Sequence, residues 1–282
     1  MSNLPASIER PSDDQFTVVL TASVGREESS FESDLDFLIF IESDETYRQF
    51  EEFFVFFRKA LLEELEKLNF VAPDFGLMHL CQTFVTPERL QVGISPLAWR
   101  QYVEPTVILD ARAVYGSEKL VDRLQQALAF KLIEEREAWL QFLKEKKLEP
   151  FKETLRNGLD QLVAGDPPGD YKVQFRRIIP FMVYYLVTAN IEKFSDSDTL
   201  NLPLTTSERL EKLAEVGVLD NDDAKFLQES HEVILQLYTR YSLVEQSSHP
   251  KANLYILTLE ERERLQYIAE ELLRLFDKYI TL

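Results

Sequence analysis

Basic residues, glycine, cysteine and long apolar runs are all scarce in this chain, and each scarcity closes off a class of protein. The 31 Lys and Arg residues are outnumbered by 49 Asp and Glu, which leaves a formal net charge of -18. A surface of that sign repels nucleic acid and anionic membrane unless a local basic patch intervenes. The densest basic run, Lys144-Glu145-Lys146-Lys147, is short and reads as the solvated face of a charged helix. Neither nucleic acid nor a membrane is therefore expected as a partner. The single cysteine, Cys81, excludes an intrachain disulfide; among apolar neighbours it reads as a buried, inert thiol. Only 8 glycines in 282 residues disfavour a turn-rich all-β fold. The longest apolar stretch, Ile178 to Ala189, is about half a membrane span and contains Pro180. The first residues lack a basic start followed by an apolar run, so no secretory leader is expected. These features together read as a soluble cytoplasmic protein.

What is present is an ordinary globular composition, 45% hydrophobic and 28% charged. Phe16–Thr21 is β-rich and predicts a strand; Asp34–Ile41 predicts a second; Leu77–Val85 and Val107–Val114 predict two more. Phe50, Phe53, Phe54, Phe57, Leu61 and Leu65 recur at helical spacing and predict one amphipathic helix over 44–69. A short helix is expected near 96–102. From Ser117 the periodicity becomes helical: to about Lys147, over 151–164, then Tyr171–Phe194, Thr206–Val216, Asp222–Gln246 and Leu259–Ile280. Asp166-Pro167-Pro168-Gly169 is a clear break. The expected class is α+β: a mixed sheet domain over 1–116, then an all-α helical bundle over 117–282.

The chemistry concentrates in residues 22–36. A strand ends in the small-residue turn Ala22-Ser23-Val24-Gly25, Arg26 follows, and Asp34-Leu35-Asp36 comes nine residues after Gly25. Small residues let backbone N–H groups approach phosphate oxygens, and Gly25 could adopt a positive φ cheaply. The Ser23 hydroxyl can add a hydrogen bond, and the Arg26 fork can neutralise phosphate charge. On the expected strand Asp34–Ile41 the two aspartates are two residues apart, so their side chains are expected to share a face. Two such carboxylates suit magnesium, and a pair of ions ~4 Å apart can serve an in-line phosphoryl displacement.

Ser23-Val24-Gly25-Arg26-Glu27-Glu28 with Ser33-Asp34-Leu35-Asp36 resembles the G-S-x-G-R-x-E…[ST]-D-x-D signature of the bacterial PII-protein uridylyltransferase and glutamine-synthetase adenylyltransferase group. A related nucleotidyltransferase-like family, often fused to cyclic-nucleotide-binding and CBS domains, shares it. Val107–Gly116 is similar to that family's strand ending in D-x-R-x-V-x-G. Thr206-x-x-Arg209-Leu210 with Leu213 resembles its T-x-x-R-L-x-x-L segment, and Asn253–Ile256 also fits.

The resemblance implies a polymerase-β-like nucleotidyltransferase fold. It also implies transfer of a uridylyl or adenylyl group from a nucleoside triphosphate, with Mg²⁺ or Mn²⁺, to an acceptor hydroxyl. A protein acceptor and a signal-transduction setting follow from the same likeness. Asp34 and Asp36 would hold metal and Ser23, Gly25 and Arg26 the phosphates, while Asp110 is the candidate third carboxylate. The alternative for Asp110 is pairing with Arg112 or a helix cap. Asp170-x-Lys172 partly matches a D-x-K-x-x-G segment, which nominates Lys172 and Arg176 to reach the nucleotide between the two domains. The departure is Ala22, where the family has glycine. That substitution and the uncertain third acid leave open a weakly active or inactive nucleotide-binding sensor. His79, His231 and His249 show no metal spacing, and His231 reads as exposed on its helix.

Overall fold

The structure, a computed structural model, describes residues 5, 7–29, 36–67, 84–88, 108–166, 171–194, 200–245 and 257–280. Contacts divide the chain into two units. The first comprises Met1–Glu27, Ser33–Glu135 and Ser195–Asn201; the second comprises Glu28–Glu32, Arg136–Phe194 and Leu202–Leu282.

The first unit is built on a mixed sheet of β1 (Phe16–Leu20), β2 (Phe37–Ile41), β3 (Phe84–Val85) and β4 (Arg112–Gly116), in the order β3-β2-β1-β4. β2 runs antiparallel to β1 and parallel to β3, and β4 runs antiparallel to β1. β2 is Phe-Leu-Ile-Phe-Ile and buried throughout, as an interior strand covered on both faces should be. On one face Phe16, Val18, Phe37, Ile39 and Ile41 pack with Phe50, Phe53, Phe54 and Phe84. Phe16 meets Phe53, Phe54 and Phe57 edge-on at 5.6, 5.7 and 5.8 Å between centroids. Such contacts each add about 0.5–1.5 kcal/mol beyond area burial.

The helix expected over 44–69 is two helices, α2 (Asp44–Gln49) and α3 (Glu51–Lys67), because Phe50 leaves helical angles at φ -114 to enter this core. The single turn between β1 and β2, Ala22–Gly25, is α1, and α4 (Glu118–Glu134) contacts β1, β2 and β4. The strand expected over Val107–Val114 begins only at Arg112. Ile108 to Asp110 form a helical turn instead, with the Ala111 N–H donating to the Ile108 carbonyl at 3.1 Å. A register shift between Val18 and Val19 bulges β4 and sets Arg112 opposite Leu20. The second strand likewise starts at Phe37, so Asp36 precedes it. Asp34, the segment 96–102 with its expected helix, and most of the strand expected over Leu77–Val85, including His79 and Cys81, lie outside the described residues.

The second unit is helical: α5 (Arg136–Leu143), a π-helical turn over Lys144–Leu148, α6 (Glu149–Ala164), a second π-helical turn over Lys172–Arg176, α7 (Ile178–Ala189), α8 (Thr206–Glu215), α9 (Asn221–Glu245) and α10 (Leu259–Tyr279). The helical run expected from Ser117 to Lys147 is therefore interrupted at Glu135 and again by the wider turn at 144–148. α7 is apolar all round and buried from Ile178 to Val187 save Phe181, which identifies it as the bundle's interior helix. α6 ends in a left-handed Gly165. The cap is completed by Asp166 N–H donating to the Gln161 carbonyl at 2.8 Å. α8 and α10 each open with a Thr…Glu capping box, at Thr205/Glu208 and Thr258/Glu261. No helix among the described residues is long and apolar enough to cross a membrane.

A candidate nucleotide site

The two halves of the signature meet through one backbone hydrogen bond: the Thr21 N–H donates to the Asp36 carbonyl at 3.0 Å. It continues the β1–β2 pairing by one step, so the residue before α1 sits beside the residue before β2. The expected small-residue turn is α1, a closed helical turn. Gly25 donates to the Thr21 carbonyl at 2.9 Å, Arg26 to Ala22 at 3.1 Å and Glu27 to Val24 at 3.2 Å.

The left-handed residues are not the expected one. Gly25 has no positive φ; Ala22 (φ 51) and Glu27 (φ 62) do. Ala22 therefore keeps a backbone conformation that suits the glycine of the resembled signature, at the steric cost of its methyl group. Gly25 is required for a different reason. A Cβ there would lie 2.2 Å from the Asp110 carbonyl oxygen and 2.9 Å from that of Leu20.

Asp110 is 1% exposed and forms an ion pair with Arg26, from the Arg26 Nη1 to the Asp110 Oδ2. Arg112 pairs instead with Glu27. The two charged residues after Gly25 are thus matched by the two of the D-x-R segment, acid to base and base to acid. Gln125 of α4 fixes the Asp110 turn by donating to the carbonyls of Ile108 and Ala111, both at 3.2 Å. The pairs differ in weight. Glu27 and Arg112 are 56% and 37% exposed, worth about 0–1 kcal/mol. The Arg26–Asp110 pair is buried, and removing one partner of such a pair is strongly destabilising.

Asp36 stands at the mouth of the loop, half-buried, with Asp34 two residues earlier in sequence. Carboxylate oxygens of this kind fit a hard divalent cation such as Mg²⁺ better than a softer metal. Among the described residues no group of three or more His, Cys, Asp or Glu gathers in metal-binding geometry. Ser23 lies on α1 and is half-buried. Of the nominated basic residues, Lys172 begins a π-helical turn. Arg176 is 7% exposed, with its guanidinium 4.5 Å from the Tyr238 ring centroid. Its Nη2 donates to the Glu28 carbonyl at 2.9 Å.

Two residues of this neighbourhood escaped sequence reasoning. His231 is 3% exposed, not on an exposed face, and its Nε2 approaches the Glu28 carboxylate at 3.3 Å. Glu28 itself, the last acid of the quoted signature, accepts the Thr206 backbone N–H at 2.9 Å. Only the presence of Glu28 inside the motif could have signalled it, since its partners lie 148 and 178 residues away.

The α+β sheet unit with the signature loop, followed by a helical unit, is the organisation expected of the nucleotidyltransferase family that the sequence resembles. Residues 203–278 match the family model described as "Putative nucleotidyltransferase substrate binding domain". The match runs from just before α8 through α10, so it includes the Thr206-x-x-Arg209-Leu210 segment and His231. It agrees with the nucleotidyltransferase family that the sequence resembles. No curated protein matches the chain.

Proposed function

We propose that the chain is a magnesium-dependent nucleotidyltransferase that moves a uridylyl or adenylyl group from a nucleoside triphosphate to an acceptor hydroxyl, releasing pyrophosphate. The observation that carries the proposal is the Thr21–Asp36 hydrogen bond, which sets Asp36 of the D-x-D pair beside the start of the phosphate-type turn. The match over residues 203–278 supports it independently.

In this proposal Asp34 and Asp36 hold the metal. Bound there, Mg²⁺ (or Mn²⁺) neutralises charge on the phosphate oxygens. Ser23 supplies a hydroxyl donor to the phosphates. Gly25 lets the loop lie tight against Leu20 and Asp110 without a clash. Asp110 orients Arg26, whose guanidinium compensates charge that develops on the triphosphate. The acceptor oxygen attacks the α-phosphorus, the bond to pyrophosphate breaks, and the hydroxyl proton passes to solvent water. A protein acceptor is the class that the resemblance favours.

The test is incubation of the purified chain with labelled ATP or UTP, Mg²⁺ or Mn²⁺, and cell extract. The proposal expects label on an acceptor and loss of that label in an Asp34→Ala plus Asp36→Ala variant. Transfer that survives both substitutions refutes it. A second reading, a nucleotide-binding sensor without turnover, is favoured by the strained Ala22 at φ 51 and by the engagement of Asp110 with Arg26. Metal-dependent nucleotide binding without pyrophosphate release identifies that reading.

A further inference from the structure

Glu28 is built into the helical unit through both its side chain and its main chain. Its Oε1 accepts the N–H of Thr206, the first residue of α8. That amide has no carbonyl partner within its own helix. The α8 capping box satisfies the amides of Glu208 and Thr205, and Glu28 supplies the acceptor for that of Thr206. The same Oε1 lies 3.3 Å from His231 Nε2 of α9. Neither ring nitrogen of His231 makes a hydrogen bond to a described residue, so the contact is a close polar approach only. The Glu28 carbonyl accepts from Arg176, which is held over Tyr238. The Glu28 side chain is 7% exposed. A carboxylate so buried is costly unless hydrogen-bonded, and a merely connecting residue would have stayed in water, as Glu27 does at 56% exposed.

We propose that Glu28 is a positioning residue for the signature loop. Pinned at carbonyl and carboxylate, it fixes the chain two residues beyond Arg26 and restricts the conformations open to Ser23–Arg26. A loop restrained before binding loses less conformational entropy when it holds a ligand. The segment that matches a substrate-binding family thereby sets the reach of the loop, through Thr206 and His231. The functional consequence rests on the nucleotide reading above; the clamp itself does not.

Hydrogen exchange on the full chain separates the two. In Glu28→Ala the amides of Gly25, Arg26 and Glu27 and that of Thr206 are expected to exchange about tenfold faster, as loss of a buried charged acceptor implies. Amides within α4 and α6 keep their wild-type rates. The affinity for Mg·ATP or Mg·UTP falls roughly five- to tenfold, and Glu28→Gln, which retains an oxygen for the Thr206 N–H, recovers most of both effects. If Glu28→Ala unfolds the chain, Thr206→Pro decides. It deletes the donor at a helix position that tolerates proline, and it must also speed the loop amides. Faster exchange at Thr206 with loop amides at wild-type rates makes Glu28 a helix cap and overturns the proposal. Wild-type chain that binds neither nucleotide refutes the nucleotide reading, and the loop amides then decide the clamp by themselves.

Discussion

Replacing Gly25 with alanine adds one methyl group at the point where α1 touches the Asp110 turn. The new Cβ would stand 2.2 Å from the Asp110 carbonyl oxygen, against the 3.4 Å at which ordinary contact begins, so about 1.2 Å of movement is needed. The atoms that must yield are backbone, and the Leu20 carbonyl at 2.9 Å blocks a second direction. No flexible side chain can absorb the change. Overpacking typically costs about 1–3 kcal/mol, and a rigid backbone neighbour puts this case at the upper end. At roughly 2–4 °C per kcal/mol for a chain of this size, Tm of the sheet unit should fall by about 5–10 °C. The displacement also separates Arg26 from Asp110, so nucleotide binding should weaken by more than the stability loss alone explains. Thermal melts followed by circular dichroism, with nucleotide titrations below the transition, check both. Gly25→Ala with Tm within about 2 °C of wild type refutes the close-approach argument.

Ala22→Gly works in the opposite direction. It relieves about 1–2 kcal/mol of left-handed strain at φ 51 and costs about 0.5–1 kcal/mol in backbone entropy, so Tm should rise slightly without loss of nucleotide binding. Arg26→Ala takes the ion-pair partner from a carboxylate that is 1% exposed, and should destabilise by about 3–5 kcal/mol in urea unfolding. Adding Asp110→Asn should recover part of that loss, because no charge is then left in place. In the helical unit Arg240 donates 2.6 and 2.8 Å hydrogen bonds to Glu261 and holds its carboxyl at about 2, below the ordinary 4.5. A carboxyl with a lowered folded-state pKa stabilises above its unfolded value and loses that contribution as pH falls. Wild type should therefore lose helical stability between about pH 4.5 and 2 that Arg240→Gln never had. The difference should be below about 1 kcal/mol, because Arg240 is 45% exposed.

The fold class was legible because its signals are local. Phe16–Leu20 and Phe37–Ile41 are β-rich runs, and α8 and α10 announce themselves through Thr…Glu caps. What could not be read depends on partners far along the chain. The break at Phe50 arises because that ring packs into the sheet core, which periodicity alone does not reveal. Asp110 could be nominated from its D-x-R segment, but its partner Arg26 lies 84 residues away. The local alternative, Arg112, pairs with Glu27 instead. Positive φ was expected at Gly25 and occurs at Ala22 and Glu27, because the turn closes as a helix whose middle residues keep negative φ. His231 looked exposed because a lone histidine on a polar helix face carries no sign of the buried Glu28 beside it.

The most direct test of the central claim is calorimetric titration of ATP and UTP into the full chain, with and without Mg²⁺, for wild type and Asp36→Asn. The account predicts binding that requires the metal and is at least tenfold weaker in the variant, as loss of a charged metal ligand implies. Nucleotide binding that is indifferent to both the metal and Asp36, or no binding by wild type under any condition, would contradict it.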